Sequence, residues 1–361
     1  MTRRELIETH VEKARGVIRR QGKALSTERD YCGWLRRYLA FTFTLARGLS
    51  SEAKAEAFLT MLVTQHDVAV ATQNSAFSAI LFFYKDVMKT PLKDVDALRA
   101  SRPQQMRHAP TVEETRALLA AVKDVGGYPT NLVARMLYGA GLRVTEPLNL
   151  RIKDVKFEDS SLFILGAKGG KDRVVRLPCS LAVEIEQQMT IARRTWEMDV
   201  RNGVPVALPH QLGRKYPEYR SAWAWAWLFP AHRPCGHPRT GETVRWRMHE
   251  ANVQRAVKQA RRKLGLAIVP HELRHAYATH NLDMGVNVVA LSKSMGHSQI
   301  QTTVGYCHTE ALSVPSPLDR VKSSQDSDHA TGRVKGEAAI VTGRVRALRP
   351  FYAGRLRLLD A

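Results

Sequence analysis

Apolar residues recur at three- and four-residue steps through most of the first hundred positions, the spacing of helices that turn one face to a core. Two segments carry the pattern most clearly, TERDYCGWLRRYLAFT from Thr27 and ATQNSAFSAILFFYKDVM from Ala71. In the first, Tyr31, Leu35, Tyr38 and Leu39 form one stripe while Arg29, Arg36 and Arg37 point elsewhere, which predicts a small helical bundle with basic outer faces. The pattern breaks at RASRPQQMRHAP, residues 99–110, which is polar, basic and bracketed by Pro103 and Pro110. Proline excludes a continuous helix, so a linker is expected there. A helix restarts at Thr111, where TVEE offers a capping Thr with Glu114 three residues later. NLVARMLYGAGLRVTEPLNL then reads as a helix, a glycine-bearing break, and a second helix with Arg143 and Glu146 on one turn.

From Asp154 to Leu177 the period changes to that of strands, with AKGGKD as a glycine-containing turn that presents Lys168 and Lys171 at its tip. Helical spacing returns from about Leu181, whereas residues 201–241 crowd Pro, Gly and Trp together and follow no single period. Beyond about Asp319 the chain turns to Ser, Gly, Asp and Arg with little periodicity, so residues 321–361 are expected to form a basic, disordered tail. The predicted class is mainly α with a small antiparallel β-sheet (α+β): a helical bundle over residues 1–103, then a mixed domain over 104–320.

Composition narrows the partner. The chain has 361 residues, 44% of them hydrophobic, enough to bury one full-sized core and a smaller one. A formal net charge of +21 is too lopsided for a typical metabolic enzyme and points to a polyanion, nucleic acid ahead of an acidic membrane surface. No stretch approaches the roughly 18 to 20 apolar residues needed to span a bilayer. The opening MTRRELIETHVEKARG has charges where a signal peptide needs its apolar segment, so a cytoplasmic protein without a membrane partner is expected. Cys32, Cys179, Cys235 and Cys307 are scattered without a C-x-x-C pair, which indicates neither a disulfide framework nor a redox motif.

The chemistry concentrates in PHELRHAYATH, residues 270–280, followed by GH at 296–297 and a lone Tyr306. His271, Arg274, His297 and Tyr306 stand in an order and at spacings suited to attack on a phosphodiester by a tyrosine hydroxyl. One motif competes: His271, Glu272 and His275 spell the His-Glu-x-x-His zinc signature. A metzincin would need Gly at 278 and His at 281, where this chain has Ala278 and Asn281, and no Glu follows about twenty residues on. His232, Cys235 and His237 offer three further potential ligands, at irregular spacing and without an obvious fourth. Neither a metal nor another cofactor is expected.

GLRVTE, AKGGKDR, HELRH, MGH and Tyr306 together resemble, in order, the Arg, Lys, His-x-x-Arg, His and Tyr set of the tyrosine recombinases. LFFYKDV near Leu81, NGVPVALPHQLGRKYPEY from Asn202 and SAWAWAWLFPA from Ser221 look like the integron integrases, which carry an insertion here spanning about 193–228. The resemblance runs from about residue 20 to SPLDR at 316–320. It implies a SAM-like, DNA-binding N-terminal bundle and a catalytic domain with six catalytic residues: Arg143, Lys168, His271, Arg274, His297 and the nucleophile Tyr306.

The residue types answer the needs of metal- and ATP-independent phosphoryl transfer. Arg143 and Arg274 can each make bidentate, charge-assisted hydrogen bonds to non-bridging oxygens and neutralise the charge that grows in the transition state. A tyrosine with an unperturbed pKa of about 10 needs a base, and the resemblance gives that task to His271. Lys168 is the implied acid for the leaving 5′ oxygen, with Lys171 as competitor; His297 would hydrogen-bond the scissile phosphate, Glu146 would hold Arg143, and His275 would support the site. The product is a 3′-phosphotyrosyl link.

Partners implied by the resemblance are a duplex recombination site, a folded single-stranded hairpin site and three further copies of the chain in a tetramer on DNA, in a bacterial nucleoid. The expected DNA-facing residues are Lys171, Arg173, Trp223, Trp225, Trp227 and Trp246; alternating tryptophans would share one face of a strand, or stack on a base from a loop. The sequence departs from the family pattern at Trp246 and Arg247, where a pair of histidines is frequent. It departs also at Pro147, harmless in the first turn of a helix, and at Ser292, Lys293 and Ser294, more polar than usual and expected to loosen the packing before His297. The rival readings are a phage integrase, a recombinase that resolves chromosome dimers, or a DNA-binding relative that has lost turnover.

Overall fold

The computed structural model describes residues 2–101, 109–166, 172–209 and 212–296. The chain opens with α1 (Arg3–Arg20), α2 (Leu25–Thr42), α3 (Ser51–Thr64) and α4 (Val70–Phe82), and α4 runs on into a π-helical turn, Phe83–Met88. The stripe predicted on α2 is the face that packs: Leu35 and Tyr38 are fully buried with Val11, Ile18, Leu59 and Ile80. The Tyr38 hydroxyl shares a 2.8 Å hydrogen bond with that of Tyr84, and burial pushes the Tyr38 phenol far above its ordinary range. Residues 91–101 form no regular element, yet they are pinned. The buried Gln73 donates to the carbonyls of Leu59 (3.2 Å) and Leu98 (2.6 Å) and accepts from the Ala100 amide (3.0 Å). Lys168, Lys171, His297, Tyr306 and the expected tail lie outside the described residues.

A second apolar cluster gathers around α5 (Val112–Ala121), α6 (Thr130–Gly139), the single turn α7 (Thr145–Leu148) and a three-stranded antiparallel sheet. The sheet runs β1 (Val155–Lys156), β2 (Ser161–Ile164) and β3 (Arg173–Arg176) in chain order. Thr111 and Glu114 form the predicted capping box, each accepting from the other's backbone N–H. The β2–β3 register pairs Leu162 with Val175 on the buried face and Phe163 with Val174 on the exposed one, so the strand period sorts the two faces. After α8 (Ala182–Arg201) come the short α9 (Leu212–Lys215) and a hairpin of β4 (Cys235–Gly236) and β5 (Thr243–Val244). The final helices are α10 (Glu250–Leu264), α11 (Pro270–Asp283) and α12 (Val288–Met295). His280 of α11 donates from Nε2 to the Pro110 carbonyl and shares a hydrogen bond at Nδ1 with the Tyr138 hydroxyl, both at 3.0 Å, which ties the start of this part to α6 and α11. Among the described residues no helix is long and apolar enough to cross a membrane.

The tryptophan run is not a strand. Trp223–Trp225 make one 3-10 turn, and Trp227 is buried beyond it in a small cluster with Val206, Ala207 and Val244. Trp227 was expected to face DNA; instead the Arg151 guanidinium lies 3.1 Å from its ring centroid and its indole N–H donates to the Arg245 carbonyl at 3.1 Å. Two buried arginines organise this region. Arg151 donates to the carbonyls of Trp225 (2.7 Å) and Ala207 (2.6 Å), and Arg245 pairs with Asp199 through both carboxylate oxygens at 2.5 and 2.6 Å. Both Arg245 and Asp199 are buried, so removing one strands the other's charge. Asp199→Ala is therefore expected to lower the unfolding free energy by about 3–5 kcal/mol in denaturant titration, and the joint replacement Asp199→Leu with Arg245→Met by much less. A loss below about 1 kcal/mol for Asp199→Ala would contradict the assignment of this pair as the region's anchor.

Candidate active site

The glycine-bearing break after α6 creates the site. Gly141 takes a left-handed backbone (φ 62°), and a Cβ there would come within 2.4 Å of the Tyr277 ring, so no other residue fits. Its carbonyl accepts from Arg274 Nη1 at 2.6 Å. Two residues on, Arg143 enters α7, where Pro147 lies within the single turn and disrupts no helical hydrogen bond.

Glu146 of α7 is the hub. Its Oε1 accepts from Arg143 Nη1 and Arg173 Nη1, both at 2.9 Å. Its Oε2 accepts from the Arg143 backbone N–H at 2.8 Å and from Arg173 Nη2 at 2.7 Å, and Arg274 Nη1 stands 3.8 Å away. Burial alone would raise this carboxyl, but hydrogen bonds and charge from Arg173 and Arg143 outweigh it and hold Glu146 below the usual carboxylate range. Among the described residues three guanidiniums face this one carboxylate, a setting that attracts an anion.

The second side of the site is α11, which starts with Pro270 at its first position and a Glu272 that accepts from the Val269 N–H at 2.6 Å. That contact turns the Glu of the zinc-like motif back onto its own helix terminus. His271 and His275, one turn apart, meet edge to face with ring centroids 4.6 Å apart. Arg274 is buried and donates from Nη2 to the Met295 carbonyl at 2.6 Å, which joins α11 to the end of α12. There Gly296 is left-handed (φ 65°), and a Cβ on it would fall 2.9 Å from the Arg173 side chain. Ser292 is buried and the Ser294 carbonyl accepts from Arg173 Nε at 2.7 Å, so the polar Ser-Lys-Ser run is packed rather than loose. His297 follows Gly296 directly in sequence.

Arg143, Glu146 and Arg274 are thus brought into one cluster, with His271 and His275 on the helix that carries Arg274. Arg173 joins them against expectation. Its side chain is only 7% exposed and is engaged by Glu146 and the Ser294 carbonyl in this structure. The signal for this was present in the strand: Arg173 alternates with the buried Val175 and so shares its face.

The expected DNA-facing tryptophans divide. Trp225, half-buried, stacks on Tyr219, which stacks on Tyr216, with centroids 5.3 and 5.0 Å apart and ring planes within 24°. Lys153 and Lys215 lie over the two ends of this ladder at 4.4 and 5.2 Å. Trp223 packs against Trp196 under Arg193, and Trp246 meets His237 edge to face. His232 stacks on Tyr128 at 3.8 Å and His237 accepts backbone N–H groups of Arg239 and Thr240. Among the described residues no group of three or more His, Cys, Asp or Glu is placed to hold a metal ion.

Residues 110–312 match the phage integrase family, and residues 11–94 match the SAM-like N-terminal domain of phage integrases. The chain belongs to the phage integrase family, the tyrosine recombinases. An integrase/recombinase of Escherichia coli is 35% identical to this recombinase over 315 residues, 86% of this chain and 93% of that one. Tyrosine recombinase XerA of Pyrococcus furiosus is 27% identical, covering 83% of this chain and 89% of its own. The fold is shared with lambda integrase in a tetramer bound to a Holliday junction, at TM-score 0.55 and 14% identity over 85% of this chain and 80% of that one. It is shared also with XerH bound to difH substrate, at TM-score 0.50 and 19% identity over 85% and 80% of the two chains.

The hub carboxylate gives the recombinase a pH signature. Glu146 is held below its unfolded value of about 4.3, so its contribution to stability is complete above that value and is lost as pH falls through the lower, folded one. The stability difference between wild type and Glu146→Gln should therefore be largest near neutrality and shrink below about pH 4.3. Denaturation midpoints of the two proteins measured from pH 7 to pH 3 check this; a difference that stays constant across that range would refute it.

Proposed function

We propose that this recombinase is of the integron-integrase type: it cleaves and rejoins DNA to insert and excise gene cassettes, pairing a duplex site with a folded single-stranded hairpin site. The cluster of Arg143 and Arg274 on the buried Glu146, next to His271, carries the catalytic reading, because it concentrates positive charge where a scissile phosphate must bind. In the proposed reaction the Tyr306 oxygen attacks phosphorus as His271 takes its proton, and Arg143, Arg274 and His297 stabilise the non-bridging oxygens. The bond from phosphorus to the 5′ oxygen breaks, and Lys168, or its neighbour Lys171, protonates that oxygen. A 5′ hydroxyl from the partner strand then reverses the step, so bond energy is conserved without ATP, metal or other cofactor. His275 supports His271 by its edge contact.

Residues 1–103 act in this reading as the DNA-gripping bundle, 104–320 as the catalytic domain and 321–361 as a basic tail. Four copies assemble on two DNA sites, by analogy with the lambda integrase tetramer on its Holliday junction. The protein works in the bacterial cytoplasm on nucleoid DNA. The stacked rings of Tyr216, Tyr219 and Trp225, flanked by lysines inside the region that resembles the integron insertion, support hairpin recognition, since every unpaired base has a face to stack. The similarity to XerA over four-fifths of the chain favours a second reading, a duplex-specific recombinase that resolves chromosome dimers.

Covalent capture decides between them. The protein is incubated, with divalent cations chelated, with one pool of imperfect DNA hairpins of randomised arm sequence and one pool of fully paired duplexes, and denaturation-resistant adducts are recovered. The expected result is an adduct enriched from the hairpin pool and reduced on the order of 10³-fold or more by Tyr306→Phe. Adducts from duplex alone favour the chromosome-resolving type. Binding to both pools without any adduct would make the chain a relative that has lost turnover.

A further inference from the structure

We propose that Arg173 is a positioning residue of the strand-cleavage reaction: it locks the Glu146 carboxylate, a competitor of the phosphate for Arg143 and Arg274, and it fixes the end of α12 from which His297 follows. The inference rests on the recombinase reading above and extends it to a residue outside the catalytic set. Three elements meet on this one side chain. Its backbone belongs to β3, its two terminal nitrogens hold both oxygens of Glu146 on α7, and its Nε holds the Ser294 carbonyl in α12. Its stem occupies the space that a Cβ at position 296 would need.

An ionised carboxylate beside two phosphate-binding guanidiniums is a rival for them. Glu146 offers acceptor lone pairs on two oxygens, and any that go unmet in a buried site pull in the nearest cation. Arg173 meets one on each oxygen in a planar, two-point fit at 2.7 and 2.9 Å. Arg143 then gives Glu146 a single side-chain contact, and Arg274 stays 3.8 Å off with its bonds directed to the carbonyls of Gly141 and Met295. Lysine cannot replace this: one ammonium nitrogen does not span both carboxylate oxygens and the Ser294 carbonyl. A buried side chain so engaged also makes no contact with DNA, so its loss should slow chemistry and leave binding intact.

The test uses the full-length protein and a hairpin recovered in the capture experiment, labelled and present in defined amount. Wild type, Arg173→Lys, Arg173→Met, Glu146→Gln and Arg173→Met combined with Glu146→Gln are compared by fluorescence anisotropy for DNA affinity, by single-turnover adduct formation and by thermal melting. Affinity should change by no more than about threefold in both Arg173 single variants, while the adduct-forming rate falls about 100-fold or more. The combined variant should be no slower than the slower of Arg173→Met and Glu146→Gln, because the two residues act as one unit. That variant also removes the buried charge that would unfold Arg173→Met, and Arg173→Lys keeps the positive charge, so one of them reports on a folded protein. A wild-type rate in Arg173→Met or Arg173→Lys, a rate loss matched by equal loss of affinity, or losses that multiply in the combined variant would each overturn the positioning role. Wild-type protein that forms no adduct would overturn the recombinase reading itself, and this inference with it.

Discussion

An ionised carboxylate survives in a protein interior only if its charge is met there, and Glu146 is met from three directions. That requirement shapes everything around it. To bring Arg143 into reach, the chain must break helix α6 and restart one turn later, which demands the left-handed backbone at Gly141. To bring Arg173, a strand must present a charge on its buried face. To bring Arg274 close without letting it collapse onto the carboxylate, its nitrogens are aimed at the carbonyls of Gly141 and Met295. Arg143 and Arg274 are thus held by hydrogen bonds within the protein, and in the proposed reaction that geometry exists before any phosphate arrives, which is the condition for electrostatic catalysis without reorganisation.

The region around the tryptophan run is built on the same principle with different partners. Arg151 and Arg245 are buried among carbonyls, one carboxylate and an indole face, and they supply what a stretch with so little regular structure lacks: directional contacts between loops. Burial pushes the Arg151 guanidinium below its usual pKa, to about 9, while Asp154 opposes that effect. Trp227 lies under the Arg151 guanidinium, while the stacked rings of Tyr216, Tyr219 and Trp225 are only half-buried.

Much of this was legible in the sequence, and the exceptions share a cause. The helical stripes at Tyr31 to Leu39, the capping box at Thr111 and the strand alternation to Leu177 are local signals, set by period and capping chemistry, and the structure contains each. The cluster of Arg143, Glu146 and Arg274 was legible because its members belong to motifs. The burial of Arg173 and Trp227 was not legible, because charge and aromaticity alone do not tell a buried side chain from a surface one. A buried arginine is betrayed only by the face it shares with its strand neighbours, and a tryptophan in a 3-10 turn has no period at all. The partners that bury both, Glu146 and Arg151, lie 27 and 76 positions away in sequence, and no local pattern links them.

The disposition of acidic residues bears on the whole-chain charge. Among the described residues the carboxylates of Glu28, Glu146, Asp154 and Asp199 are buried, and each lies against an arginine or a lysine. Glu28 gathers Arg15, Arg19 and Arg239, the last reaching it from the β4–β5 hairpin while also donating to the Lys23 carbonyl at 2.8 Å. These acids therefore act as internal counter-ions that set the position of cations. They do not soften the field of the surface. The 55 lysines and arginines outnumber the 34 acidic residues and leave a formal net charge of +21. Polyphosphate is the natural complement of such an excess, and binding would release the counter-ions that otherwise screen it. One sequence thus uses arginine in two ways: paired and buried where geometry must be exact to a few tenths of an ångström, and exposed where only the sign of the charge matters.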